Sequence, residues 1–161
     1  YACKSNFKSV LENYHASNLL KLLSKEKNDI FICYSKDEKI KIKNTIIECI
    51  LSTDMSLHSN IVKEFDNLNI QNINENNLLI SKLLVHSSDI SNILLPFNNY
   101  LEWSSLLIQE FSYQTLKEIK LKSSVTEIFI YKGLENFING QNFFISNIIR
   151  YFCFTFIYNN R

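Results

Sequence analysis

The sequence predicts an all-α fold, and three observations point to it. The 161 residues include only 2 Gly and 1 Pro, whereas strand-rich folds need many tight turns built from these residues. Hydrophobic residues make up 46% of the chain, which is enough to build a core. Apolar residues recur at spacings of three and four along most of the chain, as in helices with one buried face. We therefore expect a single assembly of about six helices.

The first predicted helices are separated by a polar stretch. Val10–Leu23 carries one apolar stripe, and Lys36–Leu51 begins charged and ends apolar, so each is predicted to be an amphipathic helix. Residues 66–77 are polar and rich in asparagine, which indicates a surface loop. Residues 78–85 resume an apolar helix that continues into residues 86–91.

The later elements follow the single proline. Pro96 can begin a helix, because its fixed φ suits the first helical turn. Residues 98–121 then fit a long helix, and residues 133–158 fit a last helix. Residues 123–131 are ambiguous, since their apolar positions would also suit a short strand.

Residues 142–158 form an apolar and aromatic stretch that invites a membrane interpretation. Arg150 lies near its centre, however, and an arginine at bilayer depth costs about 2.5–3.5 kcal/mol on insertion scales. The stretch is also shorter than the roughly 20 apolar residues that a span needs. We therefore predict a buried core helix here.

Charge and glycine content exclude two classes of function. Lys plus Arg is 17 and Asp plus Glu is 16, whereas a general nucleic-acid binder needs a basic surplus to displace counterions. Gly133 and Gly140 are the only glycines, so neither GxxxxGK[ST] nor GxGxxG can be formed. We expect no nucleic-acid partner and no glycine-rich phosphate loop.

The cysteines indicate a reducing environment. Cys3, Cys33, Cys49 and Cys153 form no CxxC pair, so we predict four buried free thiols and an intracellular, reducing compartment. The chain begins at Tyr1 without a signal-peptide pattern, and we interpret it as an internal fragment of a longer protein.

Histidine and aspartate are the candidates for chemistry. His15, His58 and His86 form no HExxH and no His-x3-His pair, and we predict structural, hydrogen-bonded roles for them. Asp89 ends an apolar helix, and a carboxylate that is buried there needs a metal, a cation or donors around it. A helix-capping role is the alternative for Asp89. These residues alone leave the function open.

Five segments share an order that is typical of one enzyme family. They are SVLENYHASNLLKLL at 9–23, STDMSLH at 52–58, LLVHSSDISN at 83–92, LEWSSLLIQEFSYQ at 101–114 and GQNFFISNII at 140–149. In the same order they resemble SVLENHH…FKLL, ATDMSKH, HxADLSNP, QWTDRIMEEFFxQ and SQVGFIDYIV of the class I cyclic-nucleotide phosphodiesterases. The resemblance implies that residues 1–161 are the C-terminal part of a single catalytic domain.

The resemblance implies an enzyme that ends cyclic-nucleotide signals by hydrolysing cGMP, cAMP or both to 5′-nucleoside monophosphates. The family uses two divalent metal ions, zinc with magnesium or manganese, and Asp89 falls on a metal ligand. Glu12 and Thr53 fall on residues that hydrogen-bond waters of the second metal, and so orient them. The other protein ligands and the proton-donating histidine are expected upstream, so this fragment alone is expected to be inactive.

The resemblance also implies a purine site. Gln141 falls on the glutamine that binds the purine, and an amide suits this role because it offers a donor and an acceptor. Phe144 and Leu107 fall on the two residues that grip the flat base. Further pocket-lining positions are Ile90, Asn92, Phe111 and Met55.

The sequence departs from the family pattern in three places. Ile93 replaces the proline of HxADLSNP, which favours cGMP over cAMP as the substrate. SSVTEIFIYKG at 123–133 replaces a proline-containing loop, which puts the pocket shape on that side in doubt. The stretch between Thr53 and Asp89 is also shorter than in the family.

Two other classes of function stay open from the sequence. One is a non-catalytic nucleotide-binding or regulatory domain on the same helical fold. The other is a helical interaction module without a ligand, in which changes at Asp89 and Gln141 would affect stability alone. The expected partners are the cyclic nucleotide and the upstream part of the same domain. A homodimer with a second copy of the protein stays open. Any membrane anchor of the parent protein would lie outside this chain.

Overall fold

Helices account for all the regular structure in the part of the chain that the structure describes. The structure is a computed structural model, and it describes residues 2–68, 76–125 and 130–149. These contain six α-helices: α1 Val10–Leu23, α2 Lys36–Leu51, α3 His58–Asp66, α4 Asn77–Asp89, α5 Phe97–Lys120 and α6 Leu134–Phe144. Short 3-10 helices occur at Ala2–Ser5, Glu26–Asn28, Met55–Leu57 and Ser91–Leu94, and a π-helical turn, Ile145–Ile149, follows α6. The predicted all-α class is confirmed.

The chain falls into two compact units, Tyr1–Asp89 and Ile90–Arg161. In the first unit, α2 packs against α1 and α4, and α3 packs against α4. The most deeply buried apolar side chains there are Val62 and Leu83, each 1% exposed. The prediction that the whole chain belongs to one catalytic domain stays a prediction.

Local hydrogen bonds set where α2 begins and how it meets α4. Ser35 and Glu38 form a capping box, in which the Ser35 N–H donates to Glu38 Oε2 at 2.8 Å. At the other end, the Ser52 hydroxyl donates to the Cys49 carbonyl at 2.6 Å. Lys82 Nζ on α4 lies 2.6 Å from Glu48 Oε2, which links the two helices by an ion pair.

The second unit is built on α5, the longest helix described. Pro96 is the residue just before its first turn, close to the predicted position. Ser104 and Thr115 are its buried residues. The entry into α6 uses Gly133 at φ 108, a backbone conformation that L side chains rarely adopt, which explains a glycine here.

Two predictions about burial are wrong for the described residues. Of the three cysteines described, Cys49 is buried, whereas Cys3 and Cys33 are exposed free thiols because Cys3 lies in the short 3-10 helix Ala2–Ser5 and Cys33 in the connection before α2. Residues 142–149 are mostly exposed, with Ile149 buried, because one face of this segment packs while the other is open. Among the helices of the described residues, none is long and apolar enough to cross a bilayer.

Several predictions fall wholly or partly outside the described residues. The predicted loop 66–77 agrees with the end of α3 and the start of α4, but residues 69–75 lie outside the description. The ambiguous segment 123–131 is neither helix nor strand at its described ends, and residues 126–129 lie outside. Cys153 and residues 150–158 of the predicted last helix also lie outside.

Candidate functional site

A cavity of about 150 Å³ opens in the second unit between α5 and α6. It is lined mainly by apolar and aromatic side chains, with a few polar groups among them. The lining residues are Leu107, Ile108, Phe111, Ile130, Tyr131, Asn136, Phe137, Gly140, Gln141, Phe143 and Phe144. Four of the predicted purine-site residues, Leu107, Phe111, Gln141 and Phe144, are therefore brought together.

The helical register explains why these side chains meet. Leu107 and Phe111 are four residues apart on α5, so they lie on one face, one turn above the other. Gln141 and Phe144 are three residues apart on α6, which places them on one face as well. The side chains of Leu107, Phe111, Gln141 and Phe144 are all half-buried, as expected for the walls of an open site.

The Gln141 amide is held by a hydrogen bond. The Tyr100 hydroxyl on α5 donates to Gln141 Oε1 at 2.5 Å. In this orientation Oε1 accepts from Tyr100, and because a phenol hydroxyl can also accept a hydrogen bond, the contact can persist when the amide is rotated. Tyr100 was not among the residues that the sequence singled out. It lies 41 residues from Gln141, and no local pattern signals such a pair.

Three predicted pocket residues do not line this cavity. Ile90 is buried, and Asn92 is half-buried in the 3-10 helix Ser91–Leu94. Met55 belongs to the first unit, where it begins the 3-10 helix Met55–Leu57 and is 43% exposed. Their predicted pocket roles stay predictions.

Asp89 is the last residue of α4 and is exposed. The expectation of a buried carboxylate is wrong here, because the side chain leaves the helix at its solvent-facing end. An N-terminal capping role is excluded by the same position. The carbonyl end of a helix carries partial negative charge, so a carboxylate there is unfavourable unless a cation compensates it. A cation at Asp89 would therefore relieve a local repulsion.

The described residues do not complete a metal centre by themselves. No group of three or more His, Cys, Asp or Glu side chains within residues 2–68, 76–125 and 130–149 is arranged to hold a metal ion. Asp89 can supply one carboxylate ligand, but the described residues do not supply the further ligands that would complete a metal site.

Glu12 and Thr53 lie beside a hydrogen bond that joins two segments of the first unit. Ser9, just before α1, donates its hydroxyl to Asp54 Oδ2 at 2.7 Å instead of capping the helix. Glu12 follows in the first turn of α1, and Thr53 precedes Asp54. The Thr53 hydroxyl donates to the Ile50 carbonyl at 2.9 Å, which leaves its oxygen able to accept from a water.

Hydrogen bonding tunes the pKa of Asp54. Partial burial alone would raise the pKa of this carboxyl, but hydrogen bonds from Ser9 and Ser56 outweigh burial and hold the pKa below its usual value. The carboxylate form is thus favoured, which strengthens the tie between α1 and the segment after α2.

A buried histidine pair joins α3 to α4. His58 Nδ1 and His86 Nε2 are 2.9 Å apart, and His86 is fully buried. Burial lowers the pKa of His58, and His86 lowers it further. Burial also lowers the pKa of His86, although the Ser52 backbone and Asp89 oppose that change. The pairing over 28 residues was not visible in the sequence.

The sequence comparisons agree on one family. Residues 1–157 match the family model described as 3'5'-cyclic nucleotide phosphodiesterase. The cGMP-specific 3',5'-cyclic phosphodiesterase gamma of Plasmodium yoelii is 32% identical over 151 residues, which cover 89% of this chain and 19% of that protein. The human dual specificity calcium/calmodulin-dependent 3',5'-cyclic nucleotide phosphodiesterase 1B is 35% identical over 118 residues, 72% of this chain and 22% of that protein. The chain thus spans about a fifth of the length of these relatives.

A solved structure has the same fold. The phosphodiesterase domain of the RhoPDE fusion protein from the choanoflagellate Salpingoeca rosetta superposes with a TM-score of 0.90 at 25% identity. The match covers 96% of this chain and 51% of that domain's chain.

Proposed function

Because this chain belongs to the 3',5'-cyclic nucleotide phosphodiesterase family, we propose that the protein hydrolyses cGMP, cAMP or both to 5′-nucleoside monophosphates and so ends their signal. Water adds to phosphorus, the bond from phosphorus to the 3′ oxygen breaks, and that oxygen takes a proton. The proton donor is proposed to be a histidine outside this chain.

The observation that carries the proposal is the cavity of the second unit. A purine is flat, and its face suits a slot between an aromatic ring and an aliphatic side chain, here Phe144 and Leu107. Its edge presents one donor and one acceptor, which the amide of Gln141 can match. Guanine offers O6 as the acceptor and adenine offers N6–H as a donor, so Gln141 can serve either base. The cGMP preference suggested by Ile93 stays part of the proposal.

At the phosphate end, Asp89 is proposed to contribute one carboxylate to a pair of divalent metal ions, zinc with magnesium or manganese. Such ions supply a hydroxide nucleophile near neutral pH and neutralise charge on the phosphate. Glu12 and Thr53 are proposed to orient water at this end. The remaining ligands are not among the described residues.

The cellular compartment and the partners of the protein are also part of the proposal. Free thiols at Cys3, Cys33 and Cys49 support an intracellular, reducing compartment. The upstream part of the same catalytic domain is the proposed partner in activity, and a homodimer and a membrane anchor outside this chain are compatible with the proposal.

Two substitutions in the intact protein test the site residues. Asp89→Ala should abolish turnover with little change in the circular dichroism spectrum, because it removes a ligand from an exposed position. Asp66→Ala is the matched control, since Asp66 is also exposed and also ends a helix. Gln141→Ala should mainly weaken nucleotide binding. Normal turnover in folded Asp89→Ala, or unchanged affinity in Gln141→Ala, would contradict the assignment.

A non-catalytic nucleotide-binding domain is the second candidate. One observation bears on it: every residue that lines the cavity belongs to the second unit, so the cavity could still bind a nucleotide if the metal ligands expected upstream were replaced. Cyclic nucleotide that binds to the intact, metal-supplied protein without being hydrolysed would support this candidate.

A further inference from the structure

The connection between α1 and α2 presents isoleucines to solvent around one buried anchor. Phe31 is 5% exposed, whereas its neighbours Ile30 and Ile32 are 69% and 76% exposed. Cys33 and Tyr34 follow and are exposed as well. We call residues 30–34 the apolar tip.

Hydrogen bonds hold the apolar tip in this arrangement. The Phe31 N–H donates to Asp29 Oδ1 at 2.9 Å, and the Tyr34 N–H donates to the Phe31 carbonyl at 2.9 Å. Asp29 is in turn 3.4 Å from Lys39 Nζ on α2. On the other side, Asn28 Nδ2 donates to the Leu22 carbonyl at the end of α1, at 3.1 Å. The exposure of Ile30 and Ile32 therefore follows from a fixed backbone with Phe31 turned inward.

The sequence on both sides of the apolar tip is rich in lysine. Residues 21–43 contain seven lysines and four acidic residues, while the remaining chain contains ten basic and twelve acidic residues. Asp29 pairs with Lys39, and Lys43 Nζ lies 5.9 Å from the centre of the Phe31 ring. The near-neutral chain thus carries its basic surplus on one segment.

We propose that the apolar tip and its flanking lysines contact the surface of a membrane that contains anionic lipids. Exposed apolar side chains enter the boundary between headgroups and acyl chains, and nearby lysines are attracted to anionic headgroups. An apolar protein surface could bury the isoleucines, but it would offer no negative charge to the lysines. This membrane contact goes beyond the proposed hydrolysis and does not depend on it.

Vesicle co-sedimentation with the intact protein tests the apolar tip. The protein should sediment with phosphatidylcholine vesicles that contain phosphatidylserine, and much less with pure phosphatidylcholine. Ile30→Ser with Ile32→Ser should weaken binding about a hundredfold, since each isoleucine contributes roughly a factor of ten. Leu94→Ser with Leu121→Ser is the matched control, because these leucines are 72% and 77% exposed elsewhere, and it should bind like the parent.

A second pair of variants tests the charge without touching the apolar residues. Lys27→Gln with Lys41→Gln should weaken binding to the phosphatidylserine vesicles, whereas Lys63→Gln with Lys120→Gln should not. Added salt should weaken binding of the parent protein as well, because it screens exposed charges. Circular dichroism checks that every variant is folded.

Three outcomes would overturn the proposal. One is a folded parent protein that does not sediment with phosphatidylserine vesicles. Another is equal binding by the tip variant and its leucine control. The third is a parent protein that self-associates in solution through Ile30 and Ile32 and ignores vesicles, which would assign the tip to a second copy of the chain.

Discussion

At the scale of single residues, the Tyr100 hydroxyl holds the Gln141 side chain in place beside the cavity. An unrestrained glutamine side chain samples several rotamers, so it loses conformational freedom when it binds a base. The 2.5 Å contact to Oε1 removes part of that freedom before a ligand arrives. If Gln141 binds the purine as proposed, Tyr100 would act as a positioning residue for it.

Tyr100→Phe tests this positioning role. Loss of the hydrogen bond should raise the KM or Kd for cyclic nucleotide about two- to tenfold, which corresponds to roughly 0.5–1.5 kcal/mol, with little change in kcat. Tyr113→Phe is the control, because the Tyr113 ring is exposed beside Lys117 and away from the cavity lining. Unchanged affinity in Tyr100→Phe, or a loss confined to kcat, would contradict the role.

At the scale of elements, the described helices agree closely with the sequence periodicity. Lys36–Leu51 has the predicted bounds, and α1 spans the predicted apolar stripe, because apolar periodicity is a local feature of the sequence. Burial was predicted less well. Cys33 lies in an apolar stretch, but only the backbone path around Phe31 decides which side chain of that stretch turns inward.

The same limit applies to contacts between elements. The bond between His58 and His86 and the bond between Tyr100 and Gln141 each join residues far apart in the chain. Their partners are fixed by how the helices pack, which periodicity does not specify. Motif resemblance did select Leu107, Phe111, Gln141 and Phe144, which the structure places around one cavity.

The pair of His58 and His86 predicts how the stability of the folded protein depends on pH. The folded pKa of His58 and of His86 lies below the usual value of 6.5, so the unfolded state binds more protons below that pH. Stability should therefore be fully present above pH 6.5 and should fall as pH decreases from there toward the folded pKa values.

Unfolding by denaturant between about pH 7 and pH 5 measures this effect. The free energy of unfolding should decrease across the range in the parent protein and in His15→Gln, since His15 is exposed. The decrease should be smaller in His58→Gln. A parent protein whose stability is level or rises as pH falls would contradict the account, as would an unaltered pH dependence in His58→Gln.

At the scale of the whole molecule, one family pattern accounts for candidate residues in both units. The family model covers residues 1–157, with Asp89, Glu12, Thr53 and Met55 in the first unit and the other predicted purine-site residues in the second. The chain also spans about a fifth of its curated relatives and about half of a solved domain. The described part accordingly presents a cavity that is the candidate purine site and one candidate metal ligand, Asp89.

The most direct test of the central claim is hydrolysis of cGMP and cAMP by the intact protein, with and without a metal chelator. We expect turnover of at least one nucleotide, its loss with the chelator, and its recovery when zinc with magnesium or manganese is returned. The ratio of the two rates would give the base preference. A folded, metal-supplied protein that hydrolyses neither nucleotide would contradict the claim, and so would turnover that the chelator leaves unchanged.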